Sequence, residues 1–175
     1  MAGRPRTVKT EKDEVVNNPK VTETKELNLE EKVVVKSIAP WTTGFSRIDG
    51  IGDIVVTPNG FTRLSRSEII NQVQIGNRLF TGIDGNGSHA TYYIDDEPTR
   101  KEAGFEYDGH QNVFNKSAVV NLFKIDNMDK FKEALMDQIK TRAEKYALMN
   151  VLREIGVNDY RKIRVAEELT GLDFE

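Results

Sequence analysis

The chain has 175 residues, of which 38% are hydrophobic and 30% charged, with 25 Lys and Arg against 28 Asp and Glu. A net charge of -3 gives no overall field that would draw in nucleic acid or an anionic membrane, so any such binding needs a local patch. The absence of cysteine excludes a disulfide scaffold, a thiolate zinc site and a thiol nucleophile. No apolar run approaches the roughly 18 to 20 residues of a membrane helix, and the basic start lacks the apolar stretch of a signal peptide. The expectation is a soluble, non-secreted chain without a membrane partner.

Residues 1–32 carry few large apolar side chains and no aromatic, and their seven basic and seven acidic residues are sorted by sign. Arg4, Arg6 and Lys9 precede the first acid, Glu11, whereas Glu26, Glu30 and Glu31 crowd the far end. Such a segment cannot bury enough surface to offset its ordering entropy, so it is expected to be a disordered arm with a basic tip. Composition changes at Val33, and 33–175 reads as a single α+β domain, β-rich over 33–96 and helical over 97–175.

Within the β-rich part, the β-branched run Val33 to Ile38 predicts a strand ended by Pro40. Trp41 to Ile51, with Gly44 and Gly50 around Phe45 and Ile48, reads as a bent strand or loop pinned by aromatics. Asp53 to Thr57 predicts a second strand, and the turn Pro58-Asn59-Gly60 predicts Phe61 to Leu64 as its hairpin partner. Ser65-Arg66-Ser67-Glu68 has the form of a capping box, which starts a helix with Ile69, Ile70 and Val73 buried and stops it at Gly76-Asn77. Arg78 to Gly82 and His89 to Ile94 predict two further strands joined through Asp84-Gly85-Asn86-Gly87. The sum is a small, mostly antiparallel β unit with one inserted short helix.

Beyond Asp96 the period becomes helical. A short helix is predicted near 98–103 and another over Ala118 to Phe123, after Asn115. The longest element is expected from about Met128 to Ile155, capped by Asp126 and burying Phe131, Leu135, Ile139, Ala143 and Tyr146. Gly156 breaks it, Asn158 caps a last helix of about Asp159 to Leu169, and Gly171 ends that one.

Few groups in this pattern carry chemistry. Gly3-Arg4-Pro5-Arg6 has the shape of an AT-hook core, where extended arginines enter a narrow minor groove, and with Lys9 it offers a weak DNA contact. The turn between the last two helices resembles a helix-turn-helix, with Arg161, Lys162 and Arg164 on its second element. Against that, Asp159, Glu167 and Glu168 share the helix, and a helical hairpin packed on the body explains the same residues. His89 and His110 show no ligand spacing and are expected at the surface, His89 opening a strand. Asp84 to Ser88 imitates a calcium loop but lacks its glycine and closing Glu, so a turn accounts for it. No catalytic, cofactor or metal residue is expected, and Trp41 and Phe45 are expected to close the β core or to anchor a neighbour.

The MAGRPR opening, the charged tail and the blocks Ser37-Ile38-Ala39-Pro40-Trp41, Thr62 to Ile70 and Gly82 to Ala90 resemble small proteins of tailed bacteriophages. The resemblance covers roughly 33–170. It implies a protein from the gene block for the virion head and neck, with no active-site residues carried over. The expected role is that of a non-enzymatic virion component, binding other virion proteins and copies of itself, and passing through the host cytoplasm during assembly. A nucleic-acid-binding accessory protein and an inhibitor of a host enzyme are the alternatives.

Overall fold

A computed structural model describes residues 27–105 and 114–174, and within them the chain is α+β, with five short strands and seven helices. The expected arm tip and His110 lie outside the described residues. The strands are β1 (Lys32–Ser37), β2 (Thr43–Ser46), β3 (Asp53–Val56), β4 (Phe61–Ser65) and β5 (Tyr92–Ile94). The helices are α1 (Arg66–Gln74), α2 (Arg78–Thr81), α3 (Glu97–Glu102), α4 (Lys116–Phe123), α5 (Met128–Gln138), α6 (Arg142–Ile155) and α7 (Tyr160–Thr170).

The strands form two antiparallel sheets, a three-stranded one in the order β4-β1-β5 and a two-stranded ribbon of β2 and β3. Both expected hairpins are therefore absent. The turn at Pro58-Asn59-Gly60 does form, with the Gly60 amide donating to the Thr57 carbonyl at 2.9 Å and Asn59 at φ 50°. It hands the chain to another sheet, where Leu64 lies opposite Val33 and Thr62 opposite Val35. Local turn chemistry fixes a reversal, whereas the partner is chosen by which apolar faces align across the core. Residues 78–81 are helical instead of extended because the Asn77 side chain caps them, accepting from the Leu79 amide at 3.1 Å. Gly82 then turns at φ 70°, pressed so closely on the Ser88 carbonyl that a Cβ would overlap it.

The capping box at Ser65 is half formed. Ser65 accepts from the Glu68 amide at 3.2 Å, but Glu68 is 2% exposed and turns to the chain after β2. Its carboxylate accepts from the amides of Ile48 and Asp49 and from Gln72 Nε2, pinning that loop onto α1.

Arg66, read from sequence only as a filler of that box, joins four residues through its side chain. Its guanidinium pairs with Asp96 through Nε at 3.0 Å and Nη2 at 3.1 Å, and donates to Thr99, the Asn28 carbonyl and Glu31 Oε2. The Asp96 bond leads the factors that hold the Arg66 pKa above its ordinary value, against burial. Burial alone would raise the Asp96 carboxyl, but its bonds from Arg66 and Thr99 outweigh that and keep it lowered. The amides of Arg66 and Ser67 also donate to the carbonyls of Glu31 and Leu29. Residues 28–31, placed in the arm by their composition, are thus docked on α1.

Two apolar clusters form. One gathers Val33, Val35, Ile54, Val56, Leu64, Ile69, Phe80, Tyr92, Ile94 and Phe105. The other gathers Phe114, Val119, Leu122, Phe131, Leu135, Ile139, Leu148, Met149, Leu152 and Ala166. Helix α3 packs on α1 and β5, so the division between the parts falls after Phe105 and not after Asp96. The expected long helix is broken between Gln138 and Arg142. Thr141 and Glu144 form a full capping box there, so the buried stripe of Phe131, Leu135, Ile139 and Ala143 continues across two helices. The caps of α5 and α7 are Asn127 and Asp159, each one residue beyond the expected Asp126 and Asn158.

Candidate functional site

The largest departure from the sequence reading is at His89. It opens no strand: it ends the glycine-rich loop after α2, at φ 58°, with its side chain 14% exposed. Its Nδ1 lies 2.7 Å from Oε1 of Glu144, a carboxylate 3% exposed. The other oxygen of Glu144 accepts from the amides of Lys140 and Thr141 at 2.9 and 2.8 Å. One carboxylate therefore caps α6 and clasps the loop of the β-rich part. The pair lines a cleft of about 410 Å³ with Asp84, Ser88, Phe114, Asp137 and Lys140. An imidazole oriented at Nδ1 by a carboxylate is half of a general-base arrangement, the other half being a nucleophile or water within reach of Nε2. Among the described residues no group of three or more His, Asp or Glu side chains is arranged to hold a metal ion. Glu144 was legible in sequence as the fourth residue of Thr141-Arg142-Ala143-Glu144, a pattern masked by the apolar period running through it.

The two aromatics singled out by sequence separate. Phe45 packs edge-on against Phe80 and Tyr92 of the β core, at centroid distances of 5.2 and 5.7 Å. Beside them the Tyr92 hydroxyl donates to Thr43 at 2.7 Å, and burial pushes its pKa up. Trp41 instead crosses to α6, edge-on to Tyr146 at 5.6 Å, with the Arg142 guanidinium 4.9 Å from its ring centre.

The three cations of the last helix also separate. Arg161 and Arg164 are exposed on α7, but Lys162 is buried beside Ile163 and Ala166. Its Nζ donates to the Phe123 carbonyl at 2.7 Å and lies 5.6 Å from the Phe131 ring centre. The helical period turns it into the core, so Arg161, Lys162 and Arg164 do not make one basic face.

A more open surface lies on the other side of the three-stranded sheet. Alternation along β1 sends Val33 and Val35 inward and Lys32, Val34 and Lys36 outward. On the flanking strands Phe61 and Arg63 of β4 and Tyr93 of β5 share the outward face, with Lys36 opposite both Phe61 and Tyr93. Phe61 is 68% exposed. The strand itself was readable in sequence from its β-branched run, but its faces and its placing between β4 and β5 were not.

Compared with known proteins, the chain matches no family model, and no curated protein or solved structure matches it. No helix among the described residues is long and apolar enough to cross a membrane.

Proposed function

We propose that the chain is a non-enzymatic structural or accessory protein of a bacteriophage virion, working in the head or connector by association with other virion proteins and copies of itself. The observation that carries this reading is the apolar surface left in water on the β2–β3 ribbon. Ile51, in the loop between the two strands, is fully exposed, Val55 on β3 is 65% exposed, and Ile48 is 40% exposed. Large apolar groups concentrated in one short segment are a feature of surfaces that are covered in the working state. The ribbon is held rigidly from behind by Glu68 and Phe45, so it can dock with little ordering cost.

Mass spectrometry of purified particles tests the reading, with a fixed copy number as the expected result. Ile51→Glu with Val55→Lys should abolish incorporation while leaving the melting temperature of the isolated protein nearly unchanged. A protein that is strictly monomeric at high concentration and absent from particles would overturn the structural role and favour inhibition of a host enzyme.

A further inference from the structure

We propose that the outward face of the β4-β1-β5 sheet binds single-stranded nucleic acid, which goes beyond the structural role above and does not depend on it. The ring of Phe61 stands on one side of Lys36 and that of Tyr93 on the other, at directly paired positions on the two neighbouring strands. Two strand spacings separate the rings by roughly 10 Å, which leaves room for a base on each ring with the linking phosphate over Lys36. Arg63 and Lys32 extend the cationic strip along the sheet. One carboxylate, Asp95, borders it and takes Lys36 Nζ at 2.6 Å, a bond between half-exposed groups that a phosphate can replace.

The Tyr93 ring is also held in place by Arg100. The guanidinium carbon of Arg100 lies 5.4 Å from its centre, while Nη1 bonds the Tyr93 hydroxyl at 3.2 Å and the Ile94 carbonyl at 2.8 Å. A fixed ring is a better stacking platform than one that must be ordered on binding. Charge decides the class of occupant: the face carries Lys32, Lys36 and Arg63 against Asp95, the reverse in sign of a chain whose net charge is -3. An acidic peptide would use the cations but has no need of exposed ring faces, whereas unstacked bases use both. A duplex hides its base faces and should bind less well.

Fluorescence anisotropy with the full chain and a labelled 20-nucleotide single strand tests the proposal. Competitors are the same sequence as a duplex, polyglutamate, and vesicles containing phosphatidylserine. The expected result is preference for the single strand, weakened about tenfold by Phe61→Ala and at least as much by Arg63→Glu. Both side chains are exposed, so melting temperatures should not move. A variant with Arg4, Arg6 and Lys9 all changed to Ala should bind as the parent does. Absence of binding, equal binding of duplex, polyglutamate or vesicles, or a loss confined to the Arg4, Arg6 and Lys9 variant would overturn the proposal.

Discussion

Replacing Arg66 by Ala should cost the protein about 3 kcal/mol. Removing one partner of a buried ion pair typically costs about 3 to 5 kcal/mol, because the other charge is left without compensation. Here the Arg66 side chain is 8% exposed and that of Asp96 17%. Asp96 also keeps its bond from the Thr99 amide at 3.0 Å as the cap of α3, which places the cost near the lower end of that range. Glu31, 54% exposed, accounts for at most about 1 kcal/mol of the loss. In a body of this size the midpoint should drop by roughly 6 to 12 °C. Arg66→Lys keeps the charge but loses the two-pronged contact with Asp96, and should fall between parent and Ala. Urea unfolding of the two single variants and of Arg66→Ala with Asp96→Ala gives the coupling directly, and a clear non-additivity is expected. Acid should remove the same contribution. The folded pKa of Asp96 is lowered from its ordinary 3.8, so on acidification the unfolded chain takes up the proton first, and the stabilisation is lost as pH falls from there through the folded value. The gap between parent and variant should therefore narrow in acid. A cost below about 1 kcal/mol for Arg66→Ala, with no narrowing, would refute this account.

Leu135→Ala and Leu152→Ala, both at wholly buried positions, should each cost about 2 to 5 kcal/mol by calorimetry or urea unfolding. At the clasp, Glu144→Ala should destabilise more than His89→Ala, since it also removes the half of the α6 capping box that accepts from the Lys140 and Thr141 amides, and the double variant should be little worse than Glu144→Ala alone. Full additivity in urea titrations would show that the two side chains act apart. A chain beginning at Lys32 should be less stable than one beginning at Leu27 by about 2 to 3 kcal/mol, having lost the Asn28, Leu29 and Glu31 contacts to α1. Equal thermal midpoints would show that residues 28–31 add nothing.

Elements whose signals are local were readable. The strand at Val33, the serine cap at Ser65, and the left-handed stops at Gly156 and Gly171 each rest on a few adjacent residues. What failed was choice between partners or between competing local signals. Asn77 could cap a turn or open a strand, and the cap won because Phe80 reaches the core from a helical turn. The apolar period across 128–155 was genuine but hid the Thr141 to Glu144 box, since a buried stripe does not distinguish one helix from two in line. The site residues suffered more. His89 meets Glu144, 55 positions away, and Lys36 meets Phe61 and Tyr93 only through strand order. Lys162 looked like a surface cation because Arg161 and Arg164 surround it, yet its long stem reaches the Phe123 carbonyl.

The existence of two apolar clusters has a consequence for how the molecule responds to load. Strongly packed element pairs lie within the β-rich part with α3 or within the four C-terminal helices, and Trp41 and His89 reach from one group to the other. Each cluster can therefore open as its own cooperative unit, with amide exchange in β1 and β4 governed by one free energy and exchange in α5 and α6 by another. This makes the Trp41 and His89 contacts a joint between the two clusters. A strain that separates the two clusters loads these contacts before it disturbs the packing inside either one.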